Sequence, residues 1–426
     1  MNKVDVIFCG WGQRWTLGTL ASDGRHVIFE YSAEALSKGL ELSPLNLKLQ
    51  AQAYSGFPPF LSSLPGLISD SLPDGWGLLL MDRIFLKNGR PLASISPLDR
   101  LSFVGDRAMG ALSFSPASEV TLSQEDLSLL QMANAVQDVI ADRDTDALRQ
   151  LALVGGSPHG ARPKALVQYD AATGRISTLV SAPGNPWLVK FPAQHEHREV
   201  CAVELAYCDL AERCGLDVPK RHLFEINSEL AAFGIERFDR ERGMRVPVQS
   251  FAGALHADFR IPSLDYQSLL RATMFFTRDI TQVEAAFKRC VFNVVFNNRD
   301  DHAKNFSLRM NEAMEWKFSP AYDLTFNGGP GGYHQAAVMG EALRPGRTEL
   351  LALAADAKIR ADVAASSIDK MLDVSTSLSA ELRRYPSIRQ KTITLITSTV
   401  NANVNRCAPT VSAPAPKATS ARKSHP

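Results

Sequence analysis

The sequence predicts an α+β chain in two parts, a mixed α/β N-terminal half and a mainly α-helical C-terminal half. Three observations carry this. Short β-like runs alternate with turns and helical stretches up to about residue 240. Beyond that point the apolar residues recur with the 3.6-residue period of helices. Among those helices one polar run, FNNRDDHAKNFS at 296–307, follows the apolar CVFNVVF and leads into a hairpin pattern.

The bulk properties bound the rest. The 426 residues suffice for more than one cored unit. Hydrophobic residues make up 45% and charged residues 21%, with a formal net charge of +1, which gives no overall electrostatic case for nucleic acid or an anionic membrane. No run approaches the roughly 18 apolar residues of a membrane span. The start, MNKVDVIFCGWGQRW, has too short an apolar stretch for a secretory leader. A cytoplasmic chain with no membrane partner is the expectation. The six cysteines lack any C-x-x-C spacing, and Cys201, Cys208 and Cys214 share one helical stretch, so buried free thiols are expected.

In chain order, VDVIFCG, WTLGTL, HVIFEY, RLSFVGD and GALSFSP read as strands. SDSLPDGWGLLLMDRIF reads as a turn leading into a helix, with Asp70 or Ser71 as cap and Pro73 near the first turn. Residues 124–150 look helical. LALVGGSPHGARPKALVQY reads as a β-like run, a Gly/Pro-rich loop and a second β-like run. PWLVKFP is a short strand with one lysine among apolar neighbours. REVCAVELAYCDLAERCGL is an amphipathic helix ending at Gly215, and VPKRHLFEI and LAAFGIERFDR are strand-like. NFSLRM and EWKFSP form a hairpin pattern. The tail, rich in Pro, Ala, Ser and basic residues, is expected to be disordered. The expected units are 1–120, 121–240 and 241–407, with 408–426 as tail.

The polar run suits one chemistry. A transferring phosphoryl group spreads negative charge over its oxygens, so metal and cationic groups must neutralise it while a carboxylate orients the nucleophile. Asp300 and Asn305 have the D-x-x-x-x-N spacing of a kinase catalytic loop, and Asp323 follows the hairpin where a second metal ligand belongs. Hard cations take carboxylate and carboxamide oxygens, and these positions offer both. Lys304 and His302 lie inside the run. A kinase also needs a strand lysine paired with a helix glutamate. Lys190 is the candidate lysine, Glu204 its partner, and Glu199 a competitor. No G-x-G-x-x-G occurs. GGSPHGARPK at 155–164 offers Gly155, Gly156 and Gly160 for close backbone approach, with Arg162 and Lys164 adding charge. GIERFDR, at the change of composition, offers an inter-lobe hinge around Glu236 and Phe238. Taken singly, each has a structural alternative: a polar helix end, an edge-strand lysine, a flexible loop, an exposed Glu-Arg pair.

Taken together, SLPDGWG, VGDRAMGAL, GGSPHGARPKALV, WLVKFP, IERFDR, NNRDDHAKNFS, SPAYDLT and HQAAVMGE resemble, in order, the HipA family of serine/threonine protein kinase toxins from bacterial type II toxin–antitoxin modules. The resemblance runs from near residue 1 to about 400. It implies a protein-kinase-like two-lobe fold using ATP and Mg²⁺, with a HipA N-terminal subdomain at 1–120. Residues 121–240 would be the kinase N-lobe and 241–407 the helical C-lobe. Asp300 resembles the catalytic base, and Asn305 and Asp323 the Mg²⁺ ligands. Lys190 resembles the ATP phosphate lysine, and His159, Gly160, Ala161, Arg162, Pro163 and Lys164 the nucleotide-covering loop. Glu236, Arg237 and Phe238 resemble the adenine-binding hinge, with His302, Lys304 and Tyr322 completing the pocket. Ser157 matches the loop serine that family members autophosphorylate, where roughly −1.5 to −2 of added charge would switch the kinase off.

Two departures stand out. Asp301 replaces a frequent glycine, where it would bind metal or raise the pKa of Asp300. Pro158 and Pro163 stiffen the loop. The resemblance further implies an aminoacyl-tRNA synthetase substrate, glutamate–tRNA ligase being the leading candidate, and arrested translation that favours persistence. It implies a HipB-like helix-turn-helix antitoxin, through which alone the chain would meet DNA. Two other readings compete. One is a catalytically silent co-repressor acting through such an antitoxin, which the intact Lys190, Asp300, Asn305 and Asp323 set argues against. The other is a metal-dependent hydrolase using Asp300, Asp301, His302 and Asp323, with His195 and His197, which leaves Lys190 and the glycine loop unexplained.

Overall fold

The computed structural model describes residues 1–118, 126–143, 145, 147–155 and 159–409. Ser157, its neighbours Gly156 and Pro158, and the tail from 410 lie outside the described residues.

Alternating apolar residues bury one face of strand β1 (Lys3–Phe8), the two-residue period of a half-buried strand. With β2 (Trp15–Ser22), β3 (Val27–Tyr31), β4 (Ala53–Tyr54) and β5 (Leu112–Ser115) it forms an antiparallel sheet in the order β4-β3-β2-β1-β5. The stretch RLSFVGD is not a strand. It forms the end of helix Pro97–Val104, which packs on β1 and β5. Ser96 decides this: its Oγ accepts from the Asp99 N–H at 3.2 Å, Asp99 accepts from the Ser96 N–H at 2.9 Å, and Pro97 opens the first turn.

Helix Gly75–Lys87 starts after Asp74, not at Asp70 or Ser71, and the Asp74 side chain makes no capping bond. Asp70 closes a short helix, Gly66–Ser69, and its carboxylate accepts from the amide and hydroxyl of Ser250 at 2.7 Å each. The helical stretch expected at 124–150 divides into helices Leu129–Ile140 and Leu148–Gly155. The second takes in LALV, expected as β-like. Leu148, Leu151, Ala152 and Gly155 form a buried helical face there, and an apolar run this short cannot distinguish the two periods.

The second sheet comprises β6 (Lys164–Asp170), β7 (Arg175–Ser177), β8 (Asn185–Lys190), β9 (Arg221–Glu225) and β10 (Ala231–Glu236), antiparallel in the order β7-β6-β8-β10-β9. Its register sets Lys164 and Phe233 on either side of Lys190. Helix Glu199–Arg213 packs against β9 and β10.

Beyond residue 250 the chain is mainly helical. Helix Ile280–Val295 is its centre, packed against Tyr266–Thr277, Ala361–Ser375 and Gln390–Cys407. NFSLRM and EWKFSP do pair as a hairpin, Ser307–Met310 with Trp316–Phe318, and Val248–Ser250 adds a third strand. All six cysteines are free, five of them buried and Cys9 half-buried. Among the described residues no helix is long and apolar enough to cross a membrane. One apolar core runs through both the mixed α/β half and the mainly helical half.

Candidate active site

Lys190 ends β8 and is almost fully buried, where an ammonium needs a counter-charge. It has two. Its Nζ donates to Glu204 Oε1 at 2.5 Å and to Asp323 Oδ1. Burial alone would lower the lysine pKa, but Asp323 and Glu204 outweigh it and raise it. Glu204 also accepts from Arg162 at 3.3 Å. Glu199, the competing partner, is held elsewhere: it accepts from the amide of Arg389 at 2.7 Å, its Nε at 2.9 Å and Thr392 Oγ1 at 3.0 Å.

Asp323 sits in the left-handed region at φ 52°. Asn298 Nδ2 donates to its carbonyl at 3.3 Å, which ties this turn to the polar run at 296–307. Burial opposes its ionisation, yet Lys190 and Lys164 hold its carboxyl below the usual range. In the polar run, Asn305 Nδ2 donates to the Asp300 carbonyl at 2.6 Å. The Asp300 carboxylate is 40% exposed, accepts from Gln335 Nε2 at 2.9 Å and faces His302 Nε2 at 3.7 Å. Its pKa is raised, first by burial and then by Asp323 and Asp301, against the pull of His302 and Arg162. His302 is oriented by its Nδ1, which accepts from the Lys304 amide at 3.2 Å.

Of the two roles expected of it, Asp301 fills one, raising the pKa of Asp300, and its own oxygens are turned to partners other than a metal. Fully buried, it accepts from Tyr266 Oη at 2.9 Å, the Gln335 amide at 2.7 Å and the Ala336 amide at 3.3 Å, and pairs with His334 Nδ1 at 2.8 Å. Its acceptor capacity is committed to fixing the polar run onto residues 334–336. Among the described residues no group of three or more His, Cys, Asp or Glu is arranged to hold a metal ion, and His197 makes only a local contact, accepting from the Glu199 amide at 3.2 Å.

The loop at 159–164 is docked on the turn before helix Gly75–Lys87. Gly160 has φ 101° and its N–H donates to Asp74. Its carbonyl accepts from the Trp76 amide at 3.2 Å, and His159 Nε2 bonds the Leu72 carbonyl at 2.9 Å. A Cβ on Gly75 would sit 2.7 Å from Ala161 Cα, so only glycine permits this approach. Lys164 is buried and donates to the His159 carbonyl, and burial pulls its pKa down to about 8. Arg162 lies on Glu196 and Glu204. Lys304 is turned to Asp74 at 2.7 Å, over the ring of Phe259 at 4.2 Å. Its ammonium is thus paired with a carboxylate.

At the hinge the Glu236 amide donates to the Lys220 carbonyl at 2.7 Å and the Arg237 amide to Pro186 at 2.9 Å. The Arg237 guanidinium is committed to Asp239 through two bonds of 2.8 Å, while Glu236 accepts from Asn185 at 2.6 Å. The Phe238 ring lies 5.5 Å from that of Tyr322, whose hydroxyl donates to the Lys304 carbonyl at 2.8 Å.

The structure thus joins Lys190, Glu204 and Asp323 directly and sets Asp300, with Asn305 on its carbonyl, close to Asp323, and turns Asp301, Arg237 and Lys304 to other partners. Asp74, His334 and Gln335 were missed as site residues. They lie in SLPDGWG and HQAAVMGE, but their contacts cross 230 and about 35 residues, which local spacing does not encode.

The HipA-like C-terminal domain matches residues 156–378 and the HipA N-terminal domain residues 11–115. The chain belongs to the HipA family. HipA of Shewanella oneidensis MR-1, solved with HipB and its operator DNA, superposes with a TM-score of 0.69 at 17% identity, covering 94% of this chain and 96% of that one. At that identity the likeness shows the fold. The proinflammatory kinase CtkA of Helicobacter pylori gives a TM-score of 0.40 at 11% identity, over 53% of this chain and 86% of that one, too low to equate the folds. A search of curated proteins gives no match.

Proposed function

We propose that this HipA-family chain is an ATP-dependent serine/threonine protein kinase and the toxin of a HipBA-like module. The observation that carries the reading is Lys190, buried and bonded at once to Glu204 and Asp323, with Asp300 and Asn305 beside it. A lysine so held has its charge fixed in place, as phosphate binding requires.

Asp300, half-exposed at the cleft, would accept the proton of a seryl or threonyl hydroxyl as its oxygen bonds the γ-phosphorus. The β,γ-bridging P–O bond breaks and ADP leaves. The adenine edge would meet the Glu236 carbonyl and the Phe238 amide, with His302 and Tyr322 lining the pocket. Asn305 spends its Nδ2 on the Asp300 carbonyl and Asp323 spends Oδ1 on Lys190. What remains is one carboxamide oxygen and one carboxylate oxygen, a set that fits Mg²⁺ completed by water and phosphate. Bound there, Mg²⁺ would supply neutralisation of the phosphate charge.

We further assign 1–120 to the family's N-terminal subdomain, 121–240 to the N-lobe and 241–407 to the C-lobe. The substrate would be an aminoacyl-tRNA synthetase, glutamate–tRNA ligase first, in the cytoplasm. A HipB-like antitoxin would link the chain to DNA, by analogy with the HipB complex of the Shewanella protein. Autophosphorylation at Ser157 would be the off-switch.

The test is incubation with Mg²⁺ and labelled ATP alongside Asp300→Asn, followed by mass spectrometry of residues 151–175. Label on Ser157 that vanishes in the variant supports kinase and switch together. ATP binding without transfer, with candidate synthetases added, would turn the reading to a silent co-repressor.

A further inference from the structure

Residues 334–336 touch both aspartates of the polar run. The amides of Gln335 and Ala336 donate to Asp301 Oδ1, at 2.7 Å and 3.3 Å, and His334 pairs with Oδ2 at 2.8 Å. On its other side Ala336–Ala337 pairs in parallel with Leu264–Asp265. The backbone carrying Gln335 is therefore fixed from two directions. From it the side chain reaches Asp300, donating from Nε2 to Oδ1 at 2.9 Å.

A half-exposed carboxylate turns broadly about its last torsion, so a group expected to accept a proton along one direction needs its plane set from outside. The contacts on Asp300 are asymmetric. Gln335 and His302 both approach Oδ1, at 2.9 Å and 3.7 Å. Oδ2 is left as the oxygen for an incoming hydroxyl. Asp301 anchors the backbone, and Gln335 converts that anchor into an orientation of its neighbour.

We propose that Gln335 is a positioning residue for Asp300, holding the carboxylate plane through Oδ1 so that Oδ2 meets the substrate hydroxyl. The inference rests on the kinase reading and adds a residue to it. His302 is too distant to replace the bond, and an N–H donor is what an oxygen that must stay an acceptor on its other side requires.

The test uses the full chain with Mg²⁺ and labelled ATP, reading transfer to itself and to casein as a generic acceptor, with fluorescent-ATP binding measured in parallel. Gln335→Ala should lower the transfer rate about 10- to 100-fold while KM for ATP and nucleotide affinity stay within about twofold. Gln335→Glu keeps the shape and removes the donor, so it should fall at least as far. A rate within about twofold of the unmodified chain in Gln335→Ala, or a Gln335→Glu that retains the rate, would overturn the proposal and leave the kinase reading standing. Equal loss of rate and nucleotide affinity would overturn it too, marking a packing role. An unmodified chain that binds ATP and transfers nothing to either acceptor would bring down both.

Discussion

The Asp74 carboxylate lies 2.7 Å from the Lys304 ammonium, across 230 residues of sequence, and also accepts the Gly160 N–H. One side chain thus pins the polar run and the 159–164 loop to the N-terminal part of the chain. Burial works against its charge, and His159, Lys304 and the Gly160 amide outweigh it, holding the carboxyl below the usual range. Asp74→Ala would leave a largely buried ammonium unpaired, at roughly 3 kcal/mol. Amide exchange across 159–164 should quicken and the urea midpoint should fall. Unchanged exchange there would show that the loop is held by other contacts.

Of the two roles expected of Asp301, raising the pKa of Asp300 stands, while its carboxylate is taken up by partners other than a metal. Its four partners, Tyr266, His334, Gln335 and Ala336, would all lose their acceptor in Asp301→Ala. Buried donors left unpaired cost roughly 1–3 kcal/mol each where no water enters. Stability should therefore drop by at least roughly 3 kcal/mol, and added Mg²⁺ should restore none of it. A Mg²⁺-dependent recovery of the melting temperature would return Asp301 to the metal site.

The contrast between Asp300 and Asp301 shows what the sequence could tell. Asp300, Asn305, Asp323 and Lys190 were legible because their chemistry is tied to short spacings and a strand–helix order. The hairpin and β8 were legible because a period of two runs through them. The choice between the two roles of Asp301 was not legible, because adjacent carboxylates in a loop look alike until the backbone turns one inward. RLSFVGD misled because a β-like composition lost to the Ser96 and Asp99 capping box just upstream of the pattern. Glu204 against Glu199 was undecidable locally: both are buried on one helix, and Arg389, about 190 residues away, takes the second.

On the proposed kinase reading Glu204 would act on phosphate through Lys190, which makes the pair testable by a double-mutant cycle. Lys190→Met should slow phosphoryl transfer by about 100-fold or more. Glu204→Gln should slow it less, since Asp323 still holds the lysine. The double variant should match Lys190→Met alone, measured as label transferred from Mg²⁺–ATP. Additive losses would mean that Glu204, which also binds Arg162 at 3.3 Å, supports the cleft by a second route.

His159 gives the loop a pH dependence whose sign follows from its surroundings. Burial first, then the cations Lys304 and Lys164 against Asp74, pull its pKa from 6.5 down to about 4. Its Nε2 bonds the Leu72 carbonyl at 2.9 Å, as the neutral tautomer with hydrogen on that nitrogen would. Between pH 6.5 and 4 the unfolded chain binds a proton there that the folded chain does not. Stability therefore falls as the pH falls through this window, by at most roughly 3 kcal/mol from this group. His159→Gln keeps an N–H donor for Leu72 and removes the titration. Its urea midpoint should match the unmodified chain at pH 4.5 more closely than at pH 7.5, or exceed it. A variant that loses the same stability between those pH values as the unmodified chain would place the acid sensitivity elsewhere.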